Sequence, residues 1–199
     1  MIIGNKTKTP KADKDLWATP WDVFWGTEKL LGRIFDLDAC ASPNNAKCER
    51  YITAEQDCLV TEWGENPLNV WINPPYSNPL PFIERAIQQS HKYGHFVVML
   101  LPADTSVEWF ELCVTKATDI WFITAGNGKG GRINFLHNAD GKAKPGNSKG
   151  SMLVVFNGSK RLFHRQASVH FISREDLISK GRKSYTNPEI NIKNLHNFA

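Results

Sequence analysis

Asn73-Pro-Pro-Tyr76 brings an amide, two prolines and an aromatic ring together in four consecutive residues. The residues before it, Asn69-Val-Trp-Ile72, have the β-branched and aromatic character of a strand. Pro74 and Pro75 end that strand, because neither has an N–H to offer a ladder. A residue ahead of a proline is pushed to extended geometry, so Asn73 is held stiffly at the strand tip. Pro81 then opens a helix over residues 81–92 in its first turn. The product is a rigid strand-to-helix elbow displaying an amide, a carbonyl and an aromatic ring. In α/β sheets, ligands sit beyond the carboxyl ends of strands, where this elbow would lie. The plain structural alternative is a stiff turn with a packed tyrosine.

Other chemistry is sparse. The four cysteines, Cys40, Cys48, Cys58 and Cys113, include no CxxC pair, and none of the six histidines stands at zinc-site spacing from them. Reduced structural thiols and no metal site are expected. The net charge of +4 is mild but unevenly spread. Residues 1–14 carry +3, residues 125–150 carry +4 and residues 157–199 carry +5, which leaves −8 on the rest. An acidic body with three basic edges suits a polyanionic partner, and equally a solvated surface with basic tails. No apolar run approaches the ~18–20 residues needed to span a bilayer, and the N-terminus lacks a signal-peptide core. An intracellular protein with no membrane partner is expected.

The elements that position the elbow follow from periodicity. At 199 residues one domain is the default. Residues 1–14 read as a flexible arm. A helix is predicted over Asp22–Leu31, after a Thr19-Pro20 start signal and before Gly32. Strands are predicted at 34–38, 50–53, 69–72, 95–101, 119–124, 132–136 and 152–156, and a further helix at 106–116. The apolar run His95–Leu101 is typical of a parallel-sheet centre. Strands alternating with helices imply βαβ units and an α/β fold, a mostly parallel sheet covered on both faces. The last three predicted strands lack an intervening helix, which suggests an antiparallel hairpin at the end. Residues 157–199 read as a basic appendage beyond a domain of residues 15–156.

Six stretches in order carry a resemblance. They are Trp17-Ala-Thr-Pro20, Phe35-Asp-Leu-Asp-Ala-Cys-Ala-Ser42, Asp57-Cys-Leu59 with Trp63, Val70 to Ser77, Leu100-Leu-Pro-Ala-Asp-Thr105 with Trp109, and Gly131-Arg-Ile-Asn-Phe135. Together, over some 140 residues, they resemble the phage-type DNA adenine-N6 methyltransferase (Dam) family. The resemblance implies a Rossmann-like fold, S-adenosylmethionine (SAM) as cofactor and double-stranded DNA as partner. It also implies base flipping and, if phage-encoded, residence in the host cytoplasm; a monomer is expected. Under it the elbow acquires a role. An exocyclic amine is a poor nucleophile because its lone pair is delocalised into the ring. The Asn73 side-chain oxygen and the Pro74 carbonyl can each accept one amino hydrogen, holding the lone pair toward an electrophile. Pro75 stiffens the turn, and Tyr76 supplies a π-face for a flipped base.

The same resemblance assigns the cofactor residues. Asp38 matches the acidic residue that binds the methionine ammonium; the plain alternative is a capping aspartate in a turn. Trp17, Thr19 and Pro20 match the N-terminal SAM motif, with Thr19 placed to bond the methionine carboxylate, or they simply start a helix. Asp57 falls where relatives contact the cofactor's adenine, or it is an exposed loop carboxylate. Ala39 and Cys40 stand where many such sites have a glycine-rich loop, and the absence of GxGxxG is a departure from that pattern. Small residues there still let a ligand approach. Lys129, Arg132, Lys142, Lys144 and Lys149 form the candidate DNA contact, with Arg132 either touching DNA or bracing the site. Other acceptors fit the tetrapeptide as well: cytosine N4, RNA adenine or protein glutamine. A nucleic-acid-binding relative without turnover is the reading from another class.

Overall fold

The computed structural model describes residues 17–137, 142–143, 149–159 and 166–185. Along the chain these form β1 (Trp17–Ala18), α1 (Trp21–Leu31), β2 (Leu37–Asp38), β3 (Arg50–Tyr51), β4 (Asn69–Ile72) and α2 (Leu80–Tyr93). There follow β5 (Phe96–Pro102), α3 (Trp109–Lys116), β6 (Asp119–Thr124), β7 (Leu136–His137), β8 (Ser151–Asn157), β9 (Ser168–Ser173) and α4 (Arg174–Tyr185). The helix boundaries have local causes. The Pro20 carbonyl accepts from the amides of Val23 and Phe24, both at 3.1 Å, and so starts α1. Gly32, at φ 63°, ends it in the left-handed conformation that costs glycine least. Pro81 sits in the first turn of α2, whose missing N–H would have had no helical partner anyway.

Seven strands form one sheet in the order β3-β2-β4-β5-β8-β6-β9. β8 alone runs against its neighbours: it pairs antiparallel with β5 on one side and β6 on the other, Met99 facing Val154 and Phe122 facing Met152. All remaining pairs are parallel. Strands buried on both faces are apolar throughout, which is why Val97 to Leu101 and Met152 to Phe156 are continuous hydrophobic runs. One face packs against α2 and α3 through Ile83, Ala86 and Cys113. The other packs against α1 and α4 through Val23, Phe24 and Leu177. Among the described residues no helix is long and apolar enough to cross a membrane.

Three expectations need correction. The predicted strand at 132–136 is not part of the main sheet. Only Leu136–His137 is a strand, and it pairs antiparallel with β1 in a separate two-stranded sheet. The chain is diverted at Gly131, where a Cβ would lie 2.4 Å from the Thr124 carbonyl carbon. The strand predicted at 34–38 shrinks to Leu37–Asp38, leaving Ile34 exposed. Finally, the region read as an appendage contributes to the fold. β9 extends the sheet in parallel with β6, and α4 lies along α1. That helix pair is close because two glycines face it. A Cβ on Gly26 would meet the Leu177 carbonyl oxygen at 2.1 Å, and one on Gly181 would meet that of Asp22 at 2.0 Å. Gly181→Val is therefore expected to destabilise the protein by ~1–3 kcal/mol, as overpacking of a close contact does, which thermal unfolding would read as a lower Tm. The predicted arm, residues 1–14, lies outside the described residues.

β2 is the switch point of this sheet. The chain leaves it for β3 on one side, and β4 pairs with its other side. A crevice opens at the carboxyl ends of β2 and β4, the place where open α/β sheets bind ligands.

Candidate active site

A cavity of about 290 Å³ occupies that crevice. β1 supplies Trp17 and Ala18 to its wall, with Thr19 following, and β2 supplies Asp38, Ala39 and Cys40. The loop after β3 contributes Asp57 and Cys58, and the elbow after β4 contributes Asn73 and Pro75. Segments widely separated in sequence thus meet in one cleft. Pro20 lies outside the cavity wall as the cap of α1, and the buried Pro74 adjoins Asn73 and Pro75, which do line it.

Asn73 is oriented by the N-terminal strand. Its Nδ2 donates to the Trp17 carbonyl at 3.1 Å. That bond fixes which end of the amide is which, and it leaves Oδ1 as the acceptor. Oδ1 is buried and has no hydrogen-bond partner. A buried acceptor left unmet costs roughly 1–3 kcal/mol, so Oδ1 favours a group that can donate to it. β1 is itself held by β7, Trp17 facing His137 with their rings edge-on at 5.5 Å.

Tyr76 stands outside the cavity. Its ring meets Phe135 edge-on at 5.9 Å. Its hydroxyl is buried beside Ser151, and burial, only partly offset by that neighbour, pushes the phenol far above its ordinary range. The ring is half-buried while its hydroxyl is enclosed.

Asp38 is 3% exposed. Its Oδ2 accepts from the Lys47 amide at 3.0 Å, and its Oδ1 accepts from the Cys40 amide at 3.3 Å. Burial outweighs those bonds and raises its pKa to about 6. Lys47 also lines the cavity, at 9% exposure. Burial lowers its pKa to about 8, against the opposing pull of Asp38. Sequence reasoning missed Lys47: a lone lysine in a polar loop gives no signal, because its burial is decided by distant elements. Asp57 adopts φ 53°, its Oδ1 accepting from the Leu59 amide at 3.0 Å in an Asx turn. Arg85 of α2 braces this loop from behind, donating to the carbonyls of Cys58 and Thr61.

Whether these residues fit a cofactor of the SAM type can be judged from the donor set. The cavity combines a buried carboxylate, a buried ammonium and two unmatched buried oxygens, Thr19 Oγ1 and Asn73 Oδ1. A ligand with a zwitterionic end and apolar surface would satisfy them. They fit.

The basic residues lie at the same end of the sheet, since the 125–135 segment follows β6 and Lys149 precedes the antiparallel β8. They do not form one cluster. Lys129 pairs with Glu175 at 3.1 Å, and Lys149 pairs with Asp104. Lys142 is exposed, its carbonyl accepting from the His137 amide at 3.0 Å. Lys144 lies outside the described residues. In the segment 132–135 burial alternates: Ile133 and Phe135 are buried, whereas Arg132 and Asn134 are exposed. The Arg132 carbonyl accepts from Arg174 of α4 at 2.9 Å, which braces the backbone while the side chain is exposed.

Comparison with known proteins agrees with this geometry. A family model described as DNA N-6-adenine-methyltransferase (Dam) matches residues 6–184. A DNA N-6-adenine-methyltransferase of Haemophilus phage HP1 is 43% identical over 176 residues, covering 88% of this chain and 96% of the relative. One of Escherichia phage T1 is 40% identical over 163 residues, covering 77% of this chain and 67% of the relative. With the elbow, the buried aspartate and the N-terminal strand meeting in one cleft, and a match spanning nearly the whole sequence, the chain belongs to the DNA N-6-adenine-methyltransferase (Dam) family.

Proposed function

We propose that this protein is a DNA methyltransferase that transfers a methyl group from SAM to N6 of adenine in double-stranded DNA, with the target base turned out of the helix. The observation that carries this reading is Asn73: anchored through Nδ2 to the Trp17 carbonyl, it presents an unmatched Oδ1 at the cavity. Bound there, SAM supplies a sulfonium methyl that needs no further activation. Asn73 Oδ1 accepts one hydrogen of the adenine amine and the Pro74 carbonyl accepts the other, directing the lone pair and stabilising the positive charge that grows on nitrogen. With SAM bound, in-line transfer of its methyl would form the N–C bond at the expense of the S–C bond, and the surplus amine proton would pass to water. The half-buried Tyr76 ring offers a face for the extruded base, and its contact with Phe135 keeps that face still. Trp17, Thr19, Ala39, Cys40 and Asp57 line the cofactor's part of the cleft, and Pro20 fixes the turn that carries Thr19.

DNA lies across the carboxyl end of the sheet in this reading. Arg132 and Asn134, both exposed and next to the elbow through Phe135, are the side chains best placed to touch it. Lys142 adds positive charge to the rim. Lys129 and Lys149 have acidic partners, which offset part of their charge.

The test is chemical. Duplex DNA treated with the protein and SAM is digested to nucleosides, which are separated and weighed. N6-methyldeoxyadenosine is the expected product. Methylation confined to deoxycytidine, or to an RNA or protein acceptor offered in parallel, would overturn the assignment of acceptor.

A further inference from the structure

We infer that Lys47 is the carboxylate-binding residue of this cleft: its ammonium, with the Thr19 hydroxyl, holds the α-carboxylate of the cofactor's amino-acid tail while Asp38 takes the α-ammonium. The inference rests on the reading that SAM occupies the cavity.

A lysine is almost never as buried as Lys47 unless it is paired. Lys47 nevertheless makes no salt bridge among the described residues. Its Nζ donates to the Asn45 carbonyl at 2.8 Å and stands 4.4 Å from the centre of the Trp21 ring. An ammonium has three hydrogens to give, and these contacts use one of them in a hydrogen bond. The nearest acid does not neutralise it. Each Asp38 oxygen accepts one backbone amide, one of them that of Lys47 itself, and keeps a further lone pair, but no Asp38–Lys47 ion pair forms among the described residues. The end of β2 and the loop after it therefore carry a buried carboxylate and a buried ammonium into the same cavity without closing them on each other. Burial pushes both toward their neutral forms, Asp38 up and Lys47 down. A ligand that brings the opposite pair of charges relieves both at once. The α-amino acid end of SAM is such a pair. Thr19 adds the second carboxylate donor, its Oγ1 buried in the same wall with no partner.

Three probes separate this from a merely structural lysine. S-adenosylhomocysteine has both charges, its decarboxylated analogue keeps only the ammonium, and 5′-methylthioadenosine has neither. Titration calorimetry of the full chain should show the first binding at least tenfold tighter than the second. Lys47→Gln should remove that preference, lowering affinity for S-adenosylhomocysteine by roughly 10- to 100-fold, as loss of a charged hydrogen bond does. Its affinity for 5′-methylthioadenosine should stay within about twofold, on the ground that distant contacts add independently. Lys47→Arg, which keeps a cation, should keep the preference. Equal weakening toward all three probes would make Lys47 structural and overturn the inference. So would a wild-type protein that does not distinguish the first two, whatever the variants do. A wild type that binds none of the three would fail the SAM reading itself, a different result from failing to discriminate.

Discussion

Asn73→Ala lowers kcat by on the order of 10²-fold or more, the usual effect of removing a preorganised acceptor used chiefly in the transition state. Single-turnover measurements with saturating cofactor and DNA would read it directly. The structure adds a second expectation. Asn73 also ties down the Trp17 carbonyl, and Trp17 lines the cavity where the cofactor is proposed to bind. Cofactor affinity should therefore fall, but by only the few-fold that loss of one neutral hydrogen bond brings. A large fall in kcat beside a small change in affinity is the signature of a residue that acts on the amine. Near-normal turnover in the variant would mean that the amine is held elsewhere.

Asp38→Ala weakens cofactor binding by ~1.5–3 kcal/mol, the scale of hydrogen bonds to charged groups, and should leave cofactor-free DNA binding intact. The wild-type protein should show a matching pH dependence. Burial holds Asp38 at about 6, with Lys47 the one nearby charge that favours its ionised form. An incoming ammonium needs the carboxylate ionised. Affinity should thus be full between about pH 6 and 8, where Asp38 is ionised and Lys47 still charged, and fall about tenfold per unit below pH 6, with this acid-side dependence absent in Asp38→Ala. Stability of the cofactor-free chain runs the other way. A carboxyl whose pKa is raised on folding contributes fully below its unfolded value of about 4, and that contribution is lost as pH rises through about 6. Calorimetric titration across pH 5–8 would check the first, and pH-dependent unfolding without cofactor the second. A flat affinity profile in the wild type would remove Asp38 from the ammonium site.

Local chemistry explains what was readable from residues alone. β4 and β6 have the predicted bounds, Asn69–Ile72 and Asp119–Thr124, because prolines, glycines and apolar runs punctuate them within a few positions. The ends of α1 follow for the same reason. Placement in the sheet was less readable. β8 lies between β5 and β6, and β9 outside β6, through pairings between segments far apart in the chain. The Arg132–Leu136 stretch alternates like a strand. Its alternation comes from Ile133 and Phe135 packing into the core beside the elbow, not from a ladder. The site shows the same division. Asn73 and Asp38 stand in motifs, whereas the burial of Lys47 and the bond from Asn73 to Trp17 arise only once the segments meet.

The position of β8 also has a consequence in time. β5 ends at Pro102 and its neighbour β8 begins at Ser151, yet the two share a seven-residue ladder. A ribosome adding roughly 5–20 residues per second completes the apolar strand β5 several seconds before its partner exists. Through that interval the nascent chain carries half a sheet, β3-β2-β4-β5, with an open hydrophobic edge of the kind that recruits other strands. β6 does not relieve it, because β6 reaches β5 only through β8. The cleft that gathers Asp38 and Asn73 is thus built on a sheet that stays unfinished, and exposed to chaperones or to other nascent chains, until Asn157 has been added and has left the exit tunnel.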